Sequence, residues 1–401
     1  MTQKSDPAPD ETTPGAPAGR VPGRLGELAR LFLRLGTTAF GGPAAHIALM
    51  EDEVVRRRQW LSREEFLDLL GAANLIPGPN STEMAIHIGL RRAGGRGLLV
   101  AGLCFILPAT ILVGILAGAY VRWGHVARAE GVLYGVKPVV IAVVAQALWG
   151  LGRTALKSGP LIAITLAAAA ACFAGWSELG ILAGAGVLAV LASRAGRTEA
   201  REKAGAFPGL LASSSLAVGA GPAAVPVGLV PLFLFFLKVG AVLYGSGYVL
   251  IAFLRADLVD RWHWLSESQL LDAVAVGQIT PGPVFTTATF VGYLVAGAPG
   301  AMLATVGIFL PAFVFVALSG PLVSRIRSSP AASAFLDGVN VASLALMAVV
   351  GWQLARVALI DGLTVAIGAV SAGLLFRGRV NSAWLVLAGA VAGLLGSWLH
   401  G

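Results

Sequence analysis

Long stretches of this chain carry no charged residue, among them Gly97–Val121, Pro138–Gly152, Ser158–Ser177, Leu179–Ser193, Ala273–Ser324, Gly338–Ala355, Gly362–Phe376 and Val380–Leu399. Several approach the roughly 20 apolar residues that a helix needs to cross a bilayer, and the window from Ala273 holds more than one element. Inside hydrocarbon every backbone polar group must be satisfied internally, so only helices or a closed barrel can span. A barrel would show short alternating segments, a pattern this chain lacks. The fold class expected is therefore all-α, a polytopic membrane helical bundle. Composition agrees, at 56% hydrophobic and 12% charged over 401 residues, with a mean hydropathy of +0.79.

Residues Met1–Gly23 are rich in Pro, Ala, Thr and acidic side chains and lack an apolar core, which reads as a disordered tail rather than a signal peptide. Cys104 and Cys172 lie in separate apolar windows and read as packing residues, not as a disulfide or metal pair. The net charge of +8 sits in short loops, where it sets membrane orientation rather than recruiting nucleic acid.

Sliding the chain on itself reveals an internal repeat. Phe32-Leu33-Arg34 falls on Phe236-Leu237-Lys238, Gly36 on Gly240, Gly41 on Gly245, Trp60-Leu61-Ser62 on Trp264-Leu265-Ser266, Asp68 on Asp272, Asn74 on Gln278, and Pro77-Gly78-Pro79 on Pro281-Gly282-Pro283. One deletion later the register continues with Gly89 on Gly292, Gly94 on Gly297, Gly97 on Gly300, Pro108 on Pro311, Gly135 on Gly338 and Trp149 on Trp352. The organisation expected is a tail (1–23), a first repeat (24–194), a linker (195–225) containing the charged run Arg194–Lys203, and a second repeat (226–401).

The charge distribution predicts that the two repeats are inverted. The first-half loop Arg91–Arg96 is strongly basic, while its partner Tyr293–Pro299 carries no charge, so the two loops belong on opposite sides of the membrane. Arg153, Lys157, Arg325, Arg327, Arg377 and Arg379 then fall on the cytoplasmic side with the Arg194–Lys203 run, and only Arg122 and Arg128 lie outside. Each half offers six apolar elements; in the first these are about Leu25–Met50, Glu65–Leu90, Arg96–Tyr120, Val132–Gly150, Leu161–Gly175 and Leu179–Ser193. Inversion needs an odd number of crossings per half or an extra one within Ala204–Leu237. Ten to thirteen crossings are expected, depending on whether the Pro-Gly-Pro elements pass through or return as hairpins.

Each Pro-Gly-Pro interrupts a helix inside an apolar setting. A helix restarting there leaves its first amides without internal partners, and its end carries partial positive charge. Asn80, Ser81 and Thr82 follow the first break, and Thr286, Thr287 and Thr289 the second, adding side-chain donors to an amide-rich end suited to an anion. Two such ends at a pseudo-two-fold axis would cradle a compact, multiply charged anion, in the manner of inverted-repeat transporters. The first element of each half carries its own flexible point, at Gly41 and Gly42 and at Gly245, Ser246 and Gly247. These permit unwinding, or else tight packing of small residues.

Other polar residues have two readings each. Arg34 and Lys238 supply charge to an anion path or snorkel to the interface. Asn74 and Gln278 donate to substrate or bond across helices. Glu83 is a proton carrier, with His87 or His46 as relay, because a carboxylate beside an anion repels it unless protonated; the alternative is a salt bridge to an arginine. The stretches Glu51–Glu65 and Arg255–Gln269 mix charges with tryptophans and read as solvated amphipathic faces. Within them Ser62 before Glu65 and Ser266 before Gln269 predict capping boxes.

The segments "FGGPAAHIALMEDEVV", "LIPGPNSTEMAIHIGLRRAGGRG", "YGSGYVLIAFLRADLV" and "ITPGPVFTTATFVGYLVAG", with the paired "ILPA" and "FLPA", resemble the chromate ion transporter family in its long-chain, two-domain form. The resemblance covers nearly the whole chain after the tail. It implies a bacterial inner-membrane protein exporting chromate, a tetrahedral dianion like sulfate, with export drawing on the proton gradient. The family's motif positions carry over as Phe40, Gly41, Gly42, Pro43, Pro77, Gly78, Pro79, Asn80, Gly245, Gly247, Pro281, Gly282 and Pro283. Ser246 and the missing proline after it depart from the pattern, so the halves are expected to contribute unequally. The partners implied are a small inorganic oxyanion (chromate, with sulfate as the alternative), protons and the lipid bilayer, with a homodimer left open; no cofactor, metal or nucleic acid is expected. The rival classes are a transporter of another oxyanion and a passive anion channel. A membrane reductase is disfavoured by the lack of a haem-attachment motif, a Gly-rich dinucleotide fingerprint or a cysteine pair.

Overall fold

The computed structural model describes residues 24–40, 42–123, 127–202, 227–244, 247–327, 329–378 and 380–400, and every regular element among them is helical. The first half contains α1 (Arg24–Thr38), α2 (Gly42–Glu51) running on into a π-helical stretch Asp52–Arg57, α3 (Arg63–Ala73), α4 (Asn80–Trp123), α5 (Ala127–Ala155), α6 (Gly159–Phe173) and α7 (Glu178–Glu202). The second half repeats the plan with α8 (Leu229–Val242), α9 (Leu250–Phe253) running on into the π-helical stretch Leu254–Arg261, α10 (Glu267–Ile279), α11 (Thr287–Arg327), α12 (Pro330–Ala358), α13 (Gly362–Phe376) and α14 (Ser382–His400).

Local sequence explains the helix boundaries. The Ser62 hydroxyl accepts the Glu65 amide while the Glu65 carboxylate accepts the Ser62 amide, and Ser266 with Gln269 does the same at α10, so both predicted capping boxes form. Ser329 caps α12 ahead of Pro330, and Asp361 caps α13. The stretches expected to be solvated amphipathic faces contain wide helical turns, each closed by a tryptophan amide bonded six residues back: Trp60 to the Val54 carbonyl and Trp264 to the Leu258 carbonyl, both at 2.8 Å. The charged run from Arg194, expected in a linker, is helical as far as Glu202, because α7 does not stop at the end of its apolar window.

The repeat is visible in backbone detail. Gly94 and Gly297 break α4 and α11 with nearly identical angles (φ 63°, ψ −153° and φ 65°, ψ −155°), and Gln59 and His263 share a left-handed φ of 51° and 54°. At each knuckle the chain folds back tightly: a Cβ at Gly89 would stand 2.6 Å from the Ala101 Cβ, and one at Gly292 the same distance from that of Ala304.

Ion pairs settle whether the broken elements cross or return. Arg92 reaches Glu27 at 3.1 Å and Arg91 reaches Glu65 at 3.0 Å. The start of α1, the start of α3 and the end of the first limb of α4 therefore share one face, here the near face. So α1 with α2, and α3 with residues 80–92, are two hairpins that enter and leave on that face, their tips midway through the protein. Beyond Gly94, α4 runs to the far face. There Tyr120 donates to Asp272 (2.9 Å) and Lys137 of α5 donates to Ser268 (2.7 Å). Ser268 and Asp272 are the equivalents of Glu64 and Asp68 at the mouth of the first half's second hairpin. The second half thus begins where the first half points, and its topology is inverted. Of the stretch Ala204–Leu237, residues 204–226 lie outside the described residues and the rest leads into α8.

The halves interlock rather than sit side by side. α4 packs on α11 at the centre, α1 on α4 and α8 on α11, while α5 packs on α13 and α14, and α12 on α6 and α7. Five helical stretches, within α4, α5, α7, α11 and α12, are long and apolar enough to cross a membrane, and α6, α8, α13 and most of α14 are shorter apolar helices. Their outward side chains are apolar, among them the equivalent tryptophans Trp149 and Trp352 at 61% and 63% exposure, as lipid contact requires. Cys104 and Cys172 are free thiols.

Candidate functional site

At the two Pro-Gly-Pro breaks the halves cross-dock through a reciprocal pair of backbone hydrogen bonds. The Gly78 amide donates to the Leu243 carbonyl at the end of α8 (2.8 Å), and the Gly282 amide donates to the Ala39 carbonyl just after α1 (3.0 Å). Leu243 is the repeat equivalent of Ala39, so each half's Pro-Gly-Pro tip docks on the other half's interrupted first helix. Both carbonyls lie where a helix has just ended and still need a donor. Both glycines have positive φ (139° and 96°), which only glycine adopts at low cost. Neither has space for a side chain: a Cβ at Gly282 would lie 2.8 Å from the Ala109 Cβ, and one at Gly78 would collide with the Glu83 carboxyl.

Around this crossing the first half supplies buried polar groups. Asn80 donates to the Asn74 side chain at 2.8 Å, tying the two limbs across Pro77 and Pro79. Ser81, Thr82, Glu83 and His87 follow on one buried helix. Thr82 Oγ1, both Glu83 carboxyl oxygens and His87 Nε2 have no hydrogen-bond partner among the described residues. Glu83 makes no ion pair among them either, so the salt-bridge alternative is not what the fold uses. His46 lies 3.1 Å through Nε2 from the Ala39 carbonyl, the same oxygen that accepts from Gly282. For that contact to be a hydrogen bond its proton is on Nε2, which leaves buried Nδ1 as an unpartnered acceptor. Unpartnered buried polar atoms are rare in folded proteins, so this group is the candidate site.

The second half is different. Thr286 and Thr287 were expected to offer donors to a ligand, but their hydroxyls donate to the Pro283 and Val284 carbonyls, both at 2.8 Å. Thr289 is bonded to Thr305. The cause is local: after Pro283 the chain passes through a 3-10 turn, Val284–Thr286, which sets each hydroxyl over the carbonyl three residues back, so that Pro283 accepts both the Thr286 amide and its hydroxyl. Gln278 is buried close by. Here the second half contributes backbone, through Pro281, Gly282 and Pro283. Gly42 opens α2, and Gly247 lies against Phe285, where a Cβ would sit 3.3 Å from the ring. Gly41, Gly245 and Ser246 lie outside the described residues.

Arg34 and Lys238 do not face this centre as free cations. Arg34 pairs with Glu53 at 2.5 Å, Glu53 also binds Arg58, and Lys238 pairs with the equivalent Asp257. These pairs fasten α1 and α8 to the returning limbs of their hairpins. Sequence reasoning also missed a buried network. Asp272, 2% exposed, accepts from Tyr120 and pairs with Lys137 at 3.1 Å, joining α10 to α4 and α5 across the two halves. A lysine in "YGVKPVV" and an aspartate in "LLDAVAVG" were the available signal, since a charge inside an apolar run needs a partner. Among the described residues no group of three His, Cys, Asp or Glu side chains could hold a metal ion.

Comparison with known proteins identifies the family. The family model described as "Chromate transporter" matches residues 26–191 and 230–394. The chromate transport protein of Cupriavidus metallidurans is 34% identical over 392 residues, covering 96% of each chain. That of Pseudomonas aeruginosa is 33% identical over 402 residues, covering 97% of this chain and 95% of its own. A probable chromate transport protein of Synechococcus elongatus is 34% identical over 350 residues, 86% of this chain and 88% of its own. No solved structure matches the chain. With both halves matched by the family model and relatives aligned almost end to end, the chain belongs to the chromate transporter family.

Proposed function

We propose that this protein is a secondary active transporter that exports chromate across the bacterial inner membrane, binding the anion where the two Pro-Gly-Pro tips cross. The observation that carries the reading is the reciprocal docking of Gly78 on Leu243 and Gly282 on Ala39. It ties the interrupted helices of each repeat to the other repeat, which supports an arrangement from which alternating access would expose a seat to either side. The restarting helix at Asn80 offers amides and partial positive charge to a tetrahedral dianion, and Thr82 adds a hydroxyl.

The near face is the cytoplasmic one. Arg91, Arg92, Arg96, Arg153 and Lys157 lie on it, as short cytoplasmic loops require. An inside-negative potential favours outward movement of each negative charge by about 2.3 kcal/mol per 100 mV, so an exported dianion travels down the electrical gradient. Glu83 couples this to protons. Its carboxyl lies against Gly78, so the anion can occupy the seat only when Glu83 is neutral, and His87, one turn along the same helix, is placed to relay the proton. A proton that accompanies the anion lowers the exported charge from two to one, while transport remains electrogenic.

The test is flux in proteoliposomes of purified full-length protein, with membrane potential and pH gradient set independently and sulfate as competitor. Chromate moves toward the positive side, at a rate that depends on pH, and sulfate competes weakly. Flux indifferent to pH would favour a passive channel. Sulfate transport that outruns chromate would reassign the substrate.

A further inference from the structure

Away from the central crossing, at the near-face end of the first half, the structure holds a cavity of about 100 Å³ lined by Arg24, Trp60, Leu61, Ile88, Arg91 and Arg92. We propose that this cavity is a second anion site, for a phosphate-type tetrahedral oxyanion presented by an anionic lipid headgroup or by a free ion. Two segments far apart in sequence bring three guanidinium groups to one small cavity, which a general excess of positive charge on one face does not require.

The local charge balance leaves a positive remainder. Arg91 is paired with Glu65 at 3.0 Å and Arg92 with Glu27 at 3.1 Å, while none of the ion pairs among the described residues involves Arg24. Arg92 is held by more than its ion pair. Its guanidinium lies 4.6 Å from the centre of the Trp60 ring, which Arg58 also approaches at 5.2 Å. Stacking fixes the plane of the group but uses none of its donors. Only the Arg92 terminal nitrogen is satisfied by Glu27, and the buried Nε–H has no hydrogen-bond partner. Arg92 lines the cavity with its donors only partly spent, which suits a tetrahedral oxyanion whose oxygens match the guanidinium fork. Trp60, Leu61 and Ile88 give the same cavity an apolar wall, and basic pockets between membrane helices suit lipid headgroups.

The second half shows that the hairpin fold itself does not need this cluster. Trp264 stands where Trp60 does, but Gly228, Leu294 and Val295 occupy the positions of Arg24, Arg91 and Arg92. The same backbone plan is built without the arginines, so their presence on one face is a local addition.

The experiment uses purified full-length protein and reads the rise in thermal unfolding midpoint. One arm adds inorganic phosphate against chloride at equal ionic strength; the other adds phosphatidylglycerol against phosphatidylcholine in the same micelles. Wild type is stabilised in at least one arm, and which arm responds identifies the source of the oxyanion. Arg92→Gln loses the response, with binding weakened about tenfold or more through one lost charge-assisted bond. Glu27→Gln strengthens it, because removing the competing carboxylate frees the Arg92 fork; a merely structural role for the Glu27 pair yields no such gain. The proposal is overturned if wild type responds in neither arm, if Arg92→Gln responds as wild type does, or, should Arg92→Gln fail to fold, if Glu27→Gln shows no gain.

Discussion

Gly78 and Gly282 show how far a single hydrogen atom can be required as a side chain. Each combines a left-handed φ with a neighbour inside the volume a Cβ would take, and each donates its amide across the repeat boundary. Gly78→Ala and Gly282→Ala should each lower chromate flux by at least about tenfold at unchanged membrane abundance, because strain at positive φ and a displaced tip act together. Flux normalised to protein in proteoliposomes checks it, and near-wild-type flux in both would remove the tips from the mechanism. Glu83→Gln should keep chromate binding, measured by equilibrium dialysis, while flattening the pH profile of flux; a profile still pH-dependent would exclude Glu83 as the proton carrier. At this scale the sequence was partly legible. Asn74, Asn80 and Glu83 could be nominated from their distance to the break. The fate of Thr286 and Thr287 could not, since their hydroxyls bond to carbonyls three residues back that the 3-10 turn brings within reach. Nor could the engagement of Arg34 and Lys238, whose carboxylate partners lie 19 residues away on the returning limb.

Among the elements, the hairpins depend on their caps and on the charges that hold their mouths. Removing the α10 cap with Ser266→Ala should cost about 1 kcal/mol, seen as a lower unfolding midpoint in detergent with flux per folded molecule unchanged. Lys137→Met should cost more, about 3–5 kcal/mol, by leaving Asp272 buried without its cation, and adding Asp272→Asn should recover part of the loss. A double variant less stable than Lys137→Met would show that Asp272 is held by other groups. Capping boxes could be read directly from residue spacing. Whether α3 and α4 return or cross could not, because both limbs are apolar either way. Only the pairs Glu27–Arg92 and Glu65–Arg91 show that three helix ends share a face.

At the level of the whole molecule, inversion was legible in the basic loop Arg91–Arg96 and its uncharged partner, because orientation is written in loop charge. The interlocking of α5 with α13 and α14, and of α12 with α6 and α7, was not, because lipid-facing and helix-facing surfaces are equally apolar and the contacts rely on small residues. Gly135, for example, packs directly on the backbone of Gly389 and Gly393, and Gly338 on Ala185. On the proposed function, relative movement of the halves would be a rocking of the hairpin bundles against the α5–α7 and α12–α14 frame. The most direct measurement is the anomalous signal of chromium in the chromate-bound protein, located by diffraction at its absorption edge. One strong peak is expected within hydrogen-bond reach of the backbone at both Pro-Gly-Pro tips; a peak out of reach of either tip would contradict anion binding there.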